Sequence, residues 1–386
     1  MRTLVLRSLA LGSLALAACG RGNFDRLVDA VPDAAPPVLS CTAPQFSIGD
    51  ASLGFAAIAT QRGYDVFAVD GSGMLVGSAY AFDTSNPATV QLVTEVSDKL
   101  MHADVNGQLA VVAIGDDVLV AAGYGKPPVG TELLAFDAQL EPRATVVPRD
   151  GVFGTAGSLA RNRNGALVFA GQPSLQKVEL QAVSPLGVDV AGTPPATVNE
   201  GGNDLNNPSV LAVDSKFLAV WNAPGSPSVV HAQLFDEQLA SPSAVPVQVS
   251  PTQMTNTEFP RAAYAQAADR YLIAWHQKAA ASDEVWFSLR DGALGEIKSE
   301  RLVARGVFPA IVAGDSDFLV VWQDGSMQPR LSGARITMDG TVSYVAPDSG
   351  ATAAGWSLVT HNGQPALIWV EAGSTRSTLW LDPLCP

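Results

Sequence analysis

An apolar pentapeptide closing on an aromatic recurs along this chain, and nothing else in the sequence limits its fold as strongly. It reads FLAVW (217–221), YLIAW (271–275), FLVVW (318–322) and PALIW (365–369). Trp221, Trp275, Trp322 and Trp369 stand 54, 47 and 47 residues apart. Weaker copies precede them: YDVFA (64–68), VLVAA (118–122) and ALVFA (166–170). Continuous apolar runs this short, rich in Val, Ile and aromatics, read as strands buried on both faces. A period of about 50 residues means a repeat array, whose units bury their faces only against one another.

The flanks of each copy complete a unit. Upstream lie a second apolar stretch and a turn, as in LAVVAIGDD (109–117), SVLAVDSK (209–216), PAIVAGDSD (309–317) and WSLVTHNGQ (356–364). Gly, Asp and Asn at those joints suit tight hairpins. Downstream a third strand ends in Asp83, Asp137, Asp236, Asp291, Asp339 or Asp382, with Ser184 in the equivalent place of the third repeat. A fourth, more polar strand such as VPVQVS (245–250) follows in most units. The fold class expected is all-β: a β-propeller of seven blades, each of four antiparallel strands. TAPQFSIG (42–49) would supply the last blade's missing fourth strand and so close the ring. Six or eight blades, or two packed β-sandwiches, are the competing arrangements.

FLVVWQD (318–324) followed by GARITMDG (333–340) resembles a propeller repeat of secreted proteins and lipoproteins from myxobacteria and their relatives. The match is specific between residues 207 and 347 and faint before 200. What the resemblance implies is architecture and export, with no shared reaction.

The N-terminus agrees. Residues 1–18 place Arg2 and Arg7 ahead of an apolar run too short to span a bilayer, which needs about 20 residues. The sequence Leu16-Ala17-Ala18-Cys19 resembles the bacterial lipoprotein cleavage box. The resemblance implies removal of residues 1–18, lipid on Cys19, and anchoring in a bacterial membrane. Gly20 in place of an aspartate resembles outer-membrane sorting, which makes the outer membrane or cell surface the expected location. Residues 19–40 read as the lipidated Cys and a flexible tether, and 41–386 as the propeller domain. With Cys19 carrying lipid, Cys41 and Cys385 remain, and export to an oxidising compartment points to a disulfide between them. Such a bridge would hold the two ends of the domain within about 7 Å.

Composition narrows the function. A formal net charge of −14 opposes the phosphate backbone that dominates nucleic-acid affinity. Four histidines (His102, His231, His276 and His361) show no paired ligand spacing, so neither metal nor cofactor is expected. There is no Gly-x-Ser-x-Gly elbow and no phosphate-cradling loop before a helix. His231 is expected to be an exposed, neutral side chain at the start of a third strand. Asp116-Asp117 and Asp315/Asp317 fall at hairpin turns, where acids need no further purpose. The four tryptophans could be sugar platforms, but their strand positions favour packing between blades.

Binding is expected on the loops joining second to third strands, which emerge on one propeller face. These carry Tyr124, Lys126, His276, Lys278, Gln323, Arg330 and Arg376, a local basic excess suited to an anionic ligand such as a glycan or a partner's acidic patch. The functional reading is a monomeric envelope lipoprotein whose propeller is a non-catalytic binding or scaffolding platform, with envelope proteins or glycans as partners. The alternatives are a glycan-acting hydrolase or lyase with acids at the channel mouth, and a solute-binding protein with a deep apolar pocket.

Overall fold

The computed structural model describes residues 45–48, 51–70, 75–82, 90–98, 105–124, 130–143, 147–150, 157–174, 177–200, 207–223, 227–240, 245–251, 256–279, 282–325, 330–345, 353–361, 364–371 and 377–383. Cys19, Cys41 and Cys385, and with them the lipid, the tether and the bridge, lie outside the described residues.

The chain is all-β. The described strands form seven four-stranded antiparallel sheets. In six of them the strands pair in chain order, each with the next. In the last sheet Gln45–Ile48 pairs with Ser377–Pro383, placing Gln45 opposite Trp380 and Ile48 opposite Ser377. The first strands of successive sheets are Ala51–Ala59, Val105–Ile114, Ser158–Arg161, Ser209–Val213, Thr257–Ala265, Val307–Ala313 and Ala353–His361. Each touches the next, and Ala353–His361 touches Ala51–Ala59. Sheets arrayed about a common channel in this way make a β-propeller.

The recurrent pentapeptides are the second strands, buried along nearly their whole length: Phe217–Ala223, Tyr271–Gln277 and Phe318–Trp322 expose almost nothing. Each tryptophan is spent on the seam behind it. Trp221 packs with Ala160, Val168 and Val178 of the third sheet, and Trp275 with Val220 and Val230 of the fourth. Trp322 meets Leu272 and Phe287 of the fifth sheet, and Trp369 meets Leu319 and Val321 of the sixth. All four are essentially excluded from solvent, so they serve packing between blades and are not sugar platforms.

The third-strand acids shape the turn to the fourth strand. Asp137 Oδ1 accepts from the backbone N–H groups of Gln139 and Glu141, both at 2.9 Å. Asp236 repeats this with Gln238 and Ala240, and Asp291 with Ala293 and Gly295. Ser184 does the same through its hydroxyl toward Leu186 and Val188. Three residues after each of these stands a left-handed residue: Leu140, Leu239, Leu294 or Gly187. The leucines use that turn to drop into a seam, where they are buried. One alignment needs correction. In the sixth sheet the place of Asp291 is held by Thr337, since Thr337 N–H bonds Thr341 O and Gly340 N–H bonds Thr337 O. Asp339 instead lies within the turn and accepts from Thr341 N–H at 3.1 Å. The expected strand 245–250 shortens to Val247–Gln248, because Pro246 has no N–H to give the ladder.

Candidate functional site at the channel mouth

A cavity of about 840 Å³ occupies the middle of the propeller, and every sheet contributes to its wall. Much of that wall is small or apolar, including Ala57, Leu109, Val111, Ile311 and Leu358. Ser158, Asn207, Gln323 and Ser357 add polar groups.

The first strands enter this wall through irregular backbone. Their pairing with the second strands shifts register at Ala51/Gly54, Val105/Leu109, Glu258/Arg261, Val307/Ala310 and Ala353/Gly355. Four successive sheets also place a left-handed residue here: Gly157, Asn207, Phe259 and Phe308, at φ of 68°, 39°, 50° and 54°. Gly157 is required, because a Cβ there would meet Ala170 O at 2.3 Å. Asn tolerates this conformation. Phenylalanine does not, and each Phe held there costs roughly 1–2 kcal/mol. Phe308 is nonetheless 45% exposed.

The two strained rings meet edge to face, centroids 4.8 Å apart. His276 stacks on Phe259 at 5.7 Å and presents its edge to Phe308 at 6.0 Å. The expectation of a loop histidine is therefore corrected. His276 lies in the second strand Arg270–Lys278, opposite Glu258, and is 3% exposed. Its Nε2 stands 3.8 Å from a carboxylate oxygen of Glu258 and 3.8 Å from one of Asp283, too far for a hydrogen bond to either. Neither ring nitrogen has a hydrogen-bond partner among the described residues. Burial lowers the His276 pKa, and the nearby Asp283 and Glu258 only partly oppose it. Lys278 donates to Glu258 at 2.6 Å, and that bond raises the Lys278 pKa.

Arg261 lies on the same strand as Phe259. It is the one charged residue among those described along the cavity wall. Its Nη1 donates to the carbonyl of its own neighbour Pro260 at 2.9 Å. No carboxylate among the described residues pairs with it. Arg261 is half-buried, and desolvation by the surrounding protein lowers its pKa.

The other expected site residues divide. Gln323 ends the second strand Asp317–Gln323 and lines the cavity. Arg330 is exposed, its backbone clasping Asp324, and it does not line the cavity. Tyr124 ends the strand Asp117–Tyr124, while Lys126 and Arg376 lie outside the described residues. His231 is half-buried and not exposed, because it presents its edge to Trp221 at 5.8 Å and burial lowers its pKa. Sequence reasoning missed Phe259, Phe308 and Arg261. The available signal was a Phe-Pro pair recurring at 259–260 and 308–309, with Asn207-Pro208 in the preceding unit.

No protein-family model matches the chain, and no curated protein is similar to it. Solved structures do resemble it. The polysaccharide lyase Uly1 is 10% identical, with a TM-score of 0.53 over 89% of this chain and 99% of that one. An α-L-arabinanase of Penicillium chrysogenum complexed with arabinobiose is 14% identical, with a TM-score of 0.49 over 72% of this chain and 93% of that one. SapL1 lectin in complex with α-methyl fucoside is 11% identical, with a TM-score of 0.45 over 78% and 98%. At such identities the likeness to Uly1 speaks for the fold alone.

Proposed function

We propose that this chain is an exported lipoprotein whose propeller is a non-catalytic binding platform, with the channel mouth around Phe259 and Phe308 as its contact surface. One observation carries the reading. Two bulky aromatics occupy left-handed backbone at equivalent points of neighbouring sheets, and one of them stays largely open to solvent. Strain kept at an exposed aromatic contributes nothing to the core, and a ligand gives it a use. A glycan array probed with the purified domain tests this. Capture of saccharides that weakens at least tenfold in Phe308→Ser, with melting behaviour retained, supports it. Capture indifferent to both Phe308→Ser and Phe259→Ser defeats it.

In this proposal the ring has seven blades and is closed by its N-terminal strand. The circuit of first-strand contacts and the pairing of Gln45–Ile48 with Ser377–Pro383 support that closure. A Cys41–Cys385 bridge would secure it, and identical migration on reducing and non-reducing gels would discard the bridge. Lipid on Cys19 would hold the platform at a membrane, so Cys19→Ser should release the protein into the soluble fraction.

A glycan-acting hydrolase or lyase is the second reading, favoured by Glu258 and Asp283 flanking His276. Against it, Lys278 engages Glu258, and neither acid is among the described residues of the cavity wall. Release of reducing ends from a polysaccharide panel, abolished in Glu258→Gln, would establish the enzyme instead.

A further inference from the structure

The platform reading leaves open what kind of saccharide would be held, and Arg261 narrows the choice. A guanidinium offers five N–H donors in a planar fork and stays charged in almost any surroundings. Desolvating such a group is costly unless charge and hydrogen bonds are returned to it. Among the described residues only the Pro260 carbonyl answers Arg261, and that group belongs to the adjacent residue. The contrast with Arg290 of the same sheet is sharp. Arg290 donates to Ser288, Leu294 O, Val249 O and Glu296. At Arg290 the fold itself supplies the partners.

What surrounds Arg261 is a ligand-sized space. The cavity of about 840 Å³ falls within the usual range of small-molecule sites and could take a short run of sugar rings. Aromatic rings at its rim suit the apolar face of a pyranose, and the side chains of Asn207 and Gln323 can meet hydroxyls. No carboxylate among the described wall residues would repel an anion.

We propose that the channel mouth binds a uronate-bearing oligosaccharide, with Arg261 reading the sugar carboxylate by a forked pair of hydrogen bonds while Phe259 and Phe308 bear on the ring faces. This rests on the platform reading and sharpens it, since a neutral glycan would leave Arg261 as it is. A carboxylate would supply both the missing charge and the missing acceptors, and charge-assisted bidentate pairs are among the strongest polar contacts available.

Isothermal titration with short oligomers from pectin, alginate and a glucuronate-containing polysaccharide tests the inference. Each is run beside its methyl-esterified form, which keeps the rings and removes the charge. At least one acid oligomer should bind. Its affinity should fall about 30-fold or more on esterification and by a similar factor in Arg261→Gln, as expected for loss of an enclosed charge pair. Arg261→Lys should retain part of the affinity, and the melting temperatures of both variants serve as the folding control. Equal binding of acid and ester, unchanged binding by Arg261→Gln, or no binding by any acid oligomer would overturn the proposal. Ester or neutral saccharide binding that remains sensitive to Phe308→Ser would sink the role of Arg261 while leaving the platform standing.

Discussion

Arg290 and Arg261 belong to the same sheet, and burial lowers the pKa of both, yet they live in different chemistry. Arg290 lies in the seam between the fourth and fifth sheets and is tied to Val249 O across it. Arg261 faces the channel and bonds only the residue beside it among those described. Seams consist mainly of apolar surface, and they hold the ring together. The channel wall carries strain and unanswered charge, which add nothing to folding and leave something for a ligand to do.

The comparison can be broken by mutation, beginning with the largest effect. Trp275→Ala, which empties a seam, should cost about 3–5 kcal/mol, read from denaturant midpoints. A loss under about 1 kcal/mol would mean that the seams do not carry stability. Arg290→Ala should cost about 3 kcal/mol by stranding Val249 O and Leu294 O, whereas Arg261→Ala should change stability by less than about 1 kcal/mol. Similar losses at the two sites would erase the distinction.

Asp65 sharpens it, as a buried carboxylate among seams where the indole N–H groups of Trp221 and Trp275 also find no hydrogen-bond partner among the described residues. The Asp65 side chain in the strand Gly63–Asp70 is almost wholly buried, one of its oxygens has no hydrogen-bond partner among the described residues, and Arg62 stands 3.6 Å away. Burial pushes its pKa up to about 6, with Arg62 opposing and Asp116 reinforcing. A carboxyl whose folded pKa is raised favours folding most below its unfolded pKa, and that contribution is lost as the pH rises through about 6. Asp65→Asn should therefore raise stability by about 3 kcal/mol at pH 8 and by nearly nothing at pH 3. A gain that is equal at both pH values would refute the assignment. The smallest effect is expected at the rim. Phe308→Gly relieves left-handed strain but adds chain entropy on unfolding, so stability should stay within about 1 kcal/mol of the native value.

Much of the propeller was legible because seams impose a strict demand on sequence. A strand buried on both faces has to be continuously apolar, and Phe318–Trp322 or Tyr271–Trp275 advertises that directly. The turn acids were equally visible, although in the sixth sheet a two-residue offset puts Thr337 where the other sheets have the acid and leaves Asp339 inside the turn. The rim was far less readable. His276 looked like a loop residue because HQKAAASDE turns polar there, and only the register against Glu258 draws it inside. Phe259 and Phe308 were passed over, since nothing in a residue's identity announces that its backbone is left-handed. Arg261 was missed although it follows a Phe-Pro pair, because which side chains face the channel is a property of the ring and not of the neighbouring sequence.

The register shifts at the heads of the first strands have a further consequence. An irregular residue inserted just before regular pairing begins can be exchanged without altering the spacing of the tryptophans farther along. At two of these shifts, in neighbouring sheets, a phenylalanine occupies that point while the spacing of the tryptophans is kept. A scaffold of this kind lends itself to being refitted with a different collar of side chains for a different guest, through substitutions at Phe259 and Phe308.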